Sequence, residues 1–263
     1  MLQVEAVYLN SLADPEYYDT PDRIADDATR YRLVTVPTGW RTDPGGLWVR
    51  VRPPGAQLPA QGWKIHISAT AAVAETTLAV AAGIFFRRGT SFKYLRSADA
   101  LRLSLGKFMF RGSSGKFITA YPADERAFEV VLDDLMTALD GEPGPYILSD
   151  LRIGRGPVYV RYGSFTEQWS TDETGEPVLA LRAPSGELVP DRRQPVFRIP
   201  EWAPVPGVLA PHLAQRDIAL PGGFQYIVKQ ALRFSNSGGV YLAQHRDTGG
   251  ASRAARGPAA QRP

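Results

Sequence analysis

A short segment with the pattern of a β-strand, residues 63–68, carries side chains that suit work on an anionic substrate. Alternate side chains of a strand share a face, so two isoleucines point to one side and Lys64, His66 and Ser68 point to the other. Imidazole titrates near neutral pH, and an ammonium beside it attracts anions. The segment therefore predicts a proton-transfer site that needs an anionic partner. The competing interpretation is structural, because a single histidine on a strand more often has that role.

Further cations lie beside glycines or strand ends, at Lys93, Arg111, Lys116, Arg152 and Arg161. In the segment 110–117, two glycines permit a tight loop, so backbone N–H groups, serine hydroxyls and two cations can converge on an oxyanion. The glycine spacing is not that of a P-loop, and Phe117 stands where Ser or Thr would follow the lysine. Spacing alone leaves two interpretations open, a phosphate site and a solvated hairpin. Lys93 also suits packing between aromatic residues, and Arg152 also suits a surface ion pair with Asp150.

The composition excludes several classes of function. The 263 residues are 44% hydrophobic and 22% charged, which predicts a folded core. The net charge of +3 is too small to imply general attraction to nucleic acid or to a membrane surface. The chain has no cysteine, so thiolate metal sites and disulfides are excluded. Neither a His/carboxylate metal spacing nor a Ser-His-Asp set is evident, so we expect no metal and no cofactor.

The N-terminus and the most apolar segment indicate where in the cell the protein is expected. The first residues lack a basic segment followed by an apolar one, so no secretory signal is visible. The most apolar stretch, residues 69–86, is interrupted by Glu75 and several threonines, which indicates a buried helix rather than a membrane span. We therefore expect a cytoplasmic protein that binds no membrane and no nucleic acid.

The apolar periodicities predict strands and helices that alternate without a strict βαβ rhythm. Strands are predicted at 48–51, 63–68, 117–121, 146–148 and 158–162. Helices are predicted at 71–86, at 97–105 with Ser97 as its cap, and after a cap at Asp124. The pattern predicts an α+β fold, with a mixed or antiparallel sheet and flanking helices. The proline-rich residues 201–211 are typical of a linker.

The run from Tyr31 to Ser164 resembles the N-terminal lyase domain of class III and class IV lanthipeptide synthetases. This domain is similar to the phosphothreonine lyases that some bacterial pathogens inject. The resemblance covers more than half of the chain and implies a phosphothreonine-lyase-like fold. It rests on residues 62–68, 89–93, 111–119, 121–122 and 149–152.

The resemblance implies a carbon–oxygen lyase that removes phosphate from phosphoserine or phosphothreonine of a precursor peptide. The products are dehydroalanine and dehydrobutyrine. By resemblance, Lys93 is the base for the Cα proton and His66 the acid for the departing oxygen. Lys64 then contacts the phosphate or the developing enolate-like oxygen, and Tyr121 orients the site. Arginine and lysine suit the phosphate, and the candidates are Arg111, Lys116, Arg152 and Arg161.

Residues 222–248 resemble the start of a protein kinase domain, with a glycine-rich loop that includes Ser237, Gly238 and Gly239 as the remnant of an ATP loop. No β3 lysine, His-Arg-Asp loop or Asp-Phe-Gly follows, so kinase activity is not expected. The predicted organisation is a lyase-like domain at 1–210 that ends in the proline-rich linker, an incomplete kinase N-lobe at 211–248, and a disordered tail at 249–263. We expect this ending to reflect a natural truncation or a frame slip in the gene.

The expected partners follow from the same resemblance. They are a phosphorylated precursor peptide and, as separate proteins, a kinase and a cyclase. The alternative function is that of a catalytically silent fragment, or a peptide-binding module, of a truncated lanthionine synthetase.

Overall fold

Seven strands form one antiparallel sheet in the computed structural model, which describes residues 27–106, 114–173, 175–191, 197–217, 226–235, 238–245, 248 and 251–256. The strands are β1 (Arg41–Gly45), β2 (Trp48–Arg52), β3 (Gln61–Ile67), β4 (Ser91–Leu95), β5 (Ile118–Tyr121), β6 (Leu151–Ile153) and β7 (Val158–Ser164). Their order across the sheet is β1-β2-β4-β5-β3-β7-β6, and each neighbouring pair is antiparallel. Strands that are distant in the chain therefore become neighbours.

Four α-helices lie within the described residues: α1 (Ala74–Arg88), α2 (Ala98–Ser104), α3 (Glu125–Ala138) and α4 (Ala210–Asp217). Ser97 accepts a hydrogen bond from the Ala100 N–H at 3.1 Å, and Asp124 accepts one from the Ala127 N–H at 2.8 Å. Both side chains occupy the N-cap positions that the sequence predicts. The antiparallel sheet and these helices together confirm the predicted α+β class.

One face of the large sheet is apolar and forms the core. The buried residues of this face alternate along each strand, as period-2 patterning requires. Helices α1 and α3 pack against each other, α1 also contacts β4, and α3 contacts β3. The core residues from these elements include Val51, Ile65, Ile67, Phe85, Phe92, Phe128, Leu132 and Val160. The opposite face of the same strands is left for polar side chains.

The predicted linker at 201–211 packs on the core instead of hanging free. Trp202 lies edge-on to Tyr162 with ring centroids 5.8 Å apart, and Leu209 is fully buried. The indole N–H of Trp63 donates to the Pro204 carbonyl at 2.7 Å. The prediction of a linker is wrong because the prolines are interleaved with large apolar side chains that gain free energy by burial.

Two further sheets are small. One has the order β10-β9-β8, from β8 (Trp169–Thr171), β9 (Pro177–Arg182) and β10 (Leu188–Pro190). The other has the order β11-β12-β13, from β11 (Tyr226–Ser235), β12 (Gly238–His245) and β13 (Ala251–Arg256).

The third sheet lies in the segments that were predicted to be a kinase start and a disordered tail. Gly238 and Gly239 begin β12, while Ser237 lies outside the described residues. The kinase-like nature of this segment stays a prediction. The disordered tail is corrected for 251–256, because β13 pairs with β12 along its length. Composition alone does not reveal such pairing, since any backbone can supply its hydrogen bonds.

One predicted strand is not found. Residues 146–148 are described but form no strand, and β6 begins three residues later. Of the helices that the structure describes, none combines the length and apolar character that crossing a bilayer demands.

Candidate functional site

The polar face of the large sheet forms the floor of a cavity of about 430 Å³. Its basic lining residues are Arg50, Arg52, Lys64, His66 and Lys93. Glu167 is the one carboxylate among the lining residues that the structure describes. Apolar side chains from the segment 164–179 and Leu58 form part of the wall. The cavity therefore suits an anionic group attached to a larger molecule.

The strand register places four of these side chains in one row. Arg50 lies opposite Lys93, Lys93 opposite Thr119, and Thr119 opposite His66. Residues directly opposite each other in an antiparallel pair project from the same face. Backbone pairing alone thus brings Lys93 and His66, the predicted base and acid, to one surface.

The next row on the same face contains Ser91 and Tyr121, which lie opposite each other. The Lys64 ammonium lies 5.5 Å from the centre of the Tyr121 ring and 5.9 Å from that of Phe165. A Cβ at Gly163 would stand 3.4 Å from Cε of Lys64, so the lysine stem runs over this glycine. These contacts hold the Lys64 charge at the cavity wall.

The imidazole of His66 is anchored by a buried carboxylate. Its Nδ1 lies 2.5 Å from Asp150 Oδ2. The hydroxyl of Ser149 donates to Asp150 Oδ1 at 2.7 Å, and the Lys116 ammonium lies 3.4 Å from the same oxygen. Three partners thus hold the Asp150 carboxylate, which lies behind His66.

The protonation of this group follows from its surroundings. Burial and the nearby charge of Lys116 lower the pKa of His66 to about 3, against the opposing effect of Asp150. Burial on its own would raise the pKa of Asp150, but Lys116, His66 and Ser149 outweigh it and hold that pKa below its usual range. At neutral pH, Asp150 is ionised and His66 is neutral, with Nδ1–H donated to the carboxylate. This tautomer leaves the lone pair of Nε2 for a ligand.

The Lys93 side chain is directed by an aromatic neighbour. Its ammonium lies 4.4 Å from the centre of the Trp48 ring, within the range of a cation–π contact. Trp48 and Arg50 lie two apart on β2, so both project from the cavity face of the sheet.

The chain matches a known protein family over most of its length. The family described as "RamC, N-terminal domain" matches residues 28–219. The chain belongs to this family. The match confirms the predicted relationship to the N-terminal domain of lanthipeptide synthetases, and residues 222–248, which resemble a kinase start, lie beyond the matched residues.

A curated relative extends the RamC N-terminal match. The chain is 49% identical over 250 residues to a "Probable SapB synthase" of Streptomyces coelicolor A3(2). The match covers 93% of this chain and 27% of that relative, so the chain spans about a quarter of its length.

Solved structures of phosphothreonine lyases also show similarity. OspF of Shigella flexneri is 17% identical with a TM-score of 0.36, and VirA (SpvC) of Chromobacterium violaceum is 16% identical with a TM-score of 0.35. Each match covers 62% of this chain and 87% of the other.

In this RamC N-terminal domain, the structure brings together four of the predicted site residues, Lys64, His66, Lys93 and Tyr121, around one cavity. Arg111 lies outside the described residues.

The prediction that Lys116, Arg152 and Arg161 surround one phosphate needs correction. Lys116 is buried against Asp150. Arg152 donates to the Gly156 carbonyl at 3.1 Å and also to that of Arg155. Arg161 lies opposite Lys64, but its guanidinium forms a buried ion pair with Asp191. None of the three is among the cavity-lining residues that the structure describes. Each contacts at least one protein acceptor outside the cavity.

The sequence reasoning also missed residues of the site. Arg50 and Arg52 line the cavity, and the alternation of β2 was the signal that could have found them. The alternative interpretation of Arg152 paired it with Asp150, whereas the fold pairs Asp150 with His66. That pairing joins residues 84 positions apart, so local spacing gave no sign of it.

Proposed function

We propose that the chain is a lyase that eliminates phosphate from phosphoserine or phosphothreonine of a lanthipeptide precursor, giving dehydroalanine or dehydrobutyrine. The observation that carries the proposal is the row in which Lys93 and His66 flank Thr119 on the floor of a basic cavity. Membership in the RamC N-terminal family and the relative named as a probable SapB synthase support it.

The cavity supplies the charge that the phosphate requires. A phosphorylated side chain carries about −1.5 to −2 at neutral pH. Arg50, Arg52 and Lys64 bring three positive charges to the lining. Each guanidinium is able to bind two phosphate oxygens at once, and neutralising the phosphate makes it a better leaving group.

Lys93 is the proposed base. Lys93 first gives up one proton of its ammonium to solvent, a loss that the positive charges of Arg50 and Arg52 favour. The neutral amine then takes the Cα proton, the released electron pair forms the Cα=Cβ bond, and the Cβ–O bond breaks. The phosphate departs with that electron pair. Adjacent strands are about 4.8 Å apart, so the backbones of Lys93 and His66 are about 10 Å apart across β5. Both side chains line the same cavity, and the phosphorylated side chain of the substrate would lie between them.

His66 is the proposed acid, and the substrate itself charges it. In the free protein the imidazole is neutral, because burial and Lys116 disfavour the imidazolium. A bound phosphate near Nε2 opposes both effects, and a proton comes from solvent or from the phosphate monoester, whose second pKa is about 6. The imidazolium then donates the Nε2 proton to the departing oxygen, and hydrogen phosphate results. Asp150 holds the ring and stabilises its charged form.

The proposed elimination uses the product of one reaction and supplies the substrate of another. A protein kinase must supply the phosphopeptide, since the elimination consumes a phosphate ester. The electron-poor alkene is a substrate for addition of a thiol, the reaction of a cyclase. We propose these two activities as the partners of the chain.

A phosphopeptide-binding module is the second candidate. The observation that favours it is the pKa of His66, which leaves the imidazole uncharged in the free protein. A synthetic phosphoserine peptide separates the two functions. Loss of the mass of phosphoric acid on incubation supports the lyase. Saturable binding without a mass change contradicts the lyase and supports the binding module.

A further inference from the structure

A buried hydroxyl on the cavity floor has no role in the chemistry described so far. Ser91 begins β4 and is 3% exposed. Its Oγ is buried without a hydrogen-bond partner among the residues that the structure describes. A buried polar atom in that state costs free energy in the unliganded protein, so its position calls for a physical reason.

The surroundings of Ser91 indicate what would satisfy it. Ser91 is two residues from Lys93, on the same face of β4, and lies opposite Tyr121. It lines the cavity together with Arg50, Arg52 and Lys64. A hydroxyl among several cations finds its natural partner in an anionic oxygen, to which it donates.

We infer that Ser91 is a phosphate-binding residue, whose hydroxyl donates a hydrogen bond to an oxygen of the phosphate held by the neighbouring cations. The inference deepens the proposed function and rests on it for the identity of the anion. A neutral donor adds direction to the binding site without adding charge beside Lys93. The orphaned hydroxyl of the free protein is then satisfied in the complex, and hydrogen bonds to charged groups are the stronger class.

The chain offers a matched control at Ser68. This serine is fully buried, and its Oγ also has no partner among the described residues. It is not among the residues that line the cavity in the described part of the chain. Ser91→Ala and Ser68→Ala therefore remove the same group from the same state of burial, and they differ in access to the cavity.

The test is calorimetric titration of the full chain with inorganic phosphate in a phosphate-free buffer. We expect Ser91→Ala to raise the Kd for phosphate about tenfold or more, as loss of a hydrogen bond to a charged group predicts. Ser68→Ala should leave that Kd at the wild-type value. Ser91→Thr, which keeps the hydroxyl and suits a strand, should restore most of the affinity. Thermal unfolding of each variant shows whether the fold is retained.

The outcomes separate this inference from the proposed function. Equal phosphate affinity of Ser91→Ala and wild type overturns the inference, and so does an equal loss in both alanine variants. If Ser91→Ala alone binds phosphate weakly while wild type leaves a phosphoserine peptide intact, the inference holds and the elimination does not. If the wild-type chain binds no phosphate, the inference is overturned, and loss of phosphoric acid from the peptide decides the proposed function separately.

Discussion

Lys93 and His66 lie in the same row of the seven-stranded sheet and are both opposite Thr119, one from each side of β5. The arrangement fixes the proposed base and the proposed acid on two strands that β5 separates. In the proposed reaction the substrate lies between them, and a proton passes at each end.

Removal of the proposed base should stop the reaction and spare binding. We expect Lys93→Ala to reduce elimination below detection while phosphopeptide still binds, because the Cα proton then has no acceptor. Lys93→Arg should be equally inactive, since a guanidinium keeps the charge but does not deprotonate in proteins. Mass spectrometry of a phosphoserine peptide measures the elimination. Lys229→Ala, at an exposed position of β11, is the control and should react as wild type does. Wild-type turnover by Lys93→Arg would show that the lysine serves only as a charge.

The buried carboxylate behind His66 should matter for stability. Asp150→Asn leaves the Lys116 ammonium buried without its counter-charge, so we expect the free energy of unfolding to fall by about 3 kcal/mol. Chemical denaturation measures this change. Asp140→Asn breaks the exposed ion pair with Arg155 and should leave the stability unchanged. Equal stability of the two variants would indicate that Lys116 finds another partner.

The pH dependence of stability reports the charge state of His66. The unfolded chain protonates this histidine below about pH 6.5, whereas the folded chain keeps it neutral down to about pH 3. The unfolded state binds more protons in this window, so the free energy of unfolding falls as the pH decreases, by up to about 1.4 kcal/mol per pH unit.

His66→Gln should flatten this pH dependence between pH 6.5 and 4.5, and denaturation at several pH values compares the two proteins. The lowered pKa of Asp150 adds a loss of the same sign only below its ordinary value of 3.8. A wild-type protein that gains stability relative to His66→Gln on acidification would instead contain a charged His66 paired with Asp150.

An arginine that lines the cavity and an arginine that donates to backbone carbonyls should respond differently to substitution. Arg52→Ala removes a charge from the cavity and should raise the KM for phosphopeptide about tenfold or more. Arg152→Ala removes hydrogen bonds to the carbonyls of Gly156 and Arg155 and should leave KM unchanged. Steady-state kinetics on one peptide compares the two variants. A larger effect of Arg152→Ala would place this residue at the phosphate after all.

The sequence predicted the local features of the fold with useful accuracy. Strands β2, β3, β5 and β7 and helices α1 to α3 fall close to their predicted positions, because alternation, apolar periodicity and caps act between residues a few positions apart. Short strands such as β6, with three residues, carry too little pattern to be found in this way. The proline-rich segment misled the reasoning, because composition does not say whether an apolar side chain has a surface to pack on.

The sequence by itself determined which side chains share a face, namely Lys64 with His66 on β3 and Arg50 with Arg52 on β2. Only the tertiary structure decided which strands are neighbours, and thus that β5 separates Lys93 from His66. It also decided that Asp150 contacts His66, and that Arg152 and Arg161 bind protein acceptors outside the cavity. The physical reason is that side-chain alternation is a property of one strand. Strand order and register arise from backbone hydrogen bonds that are chemically alike for every partner and are selected by burial of the whole core.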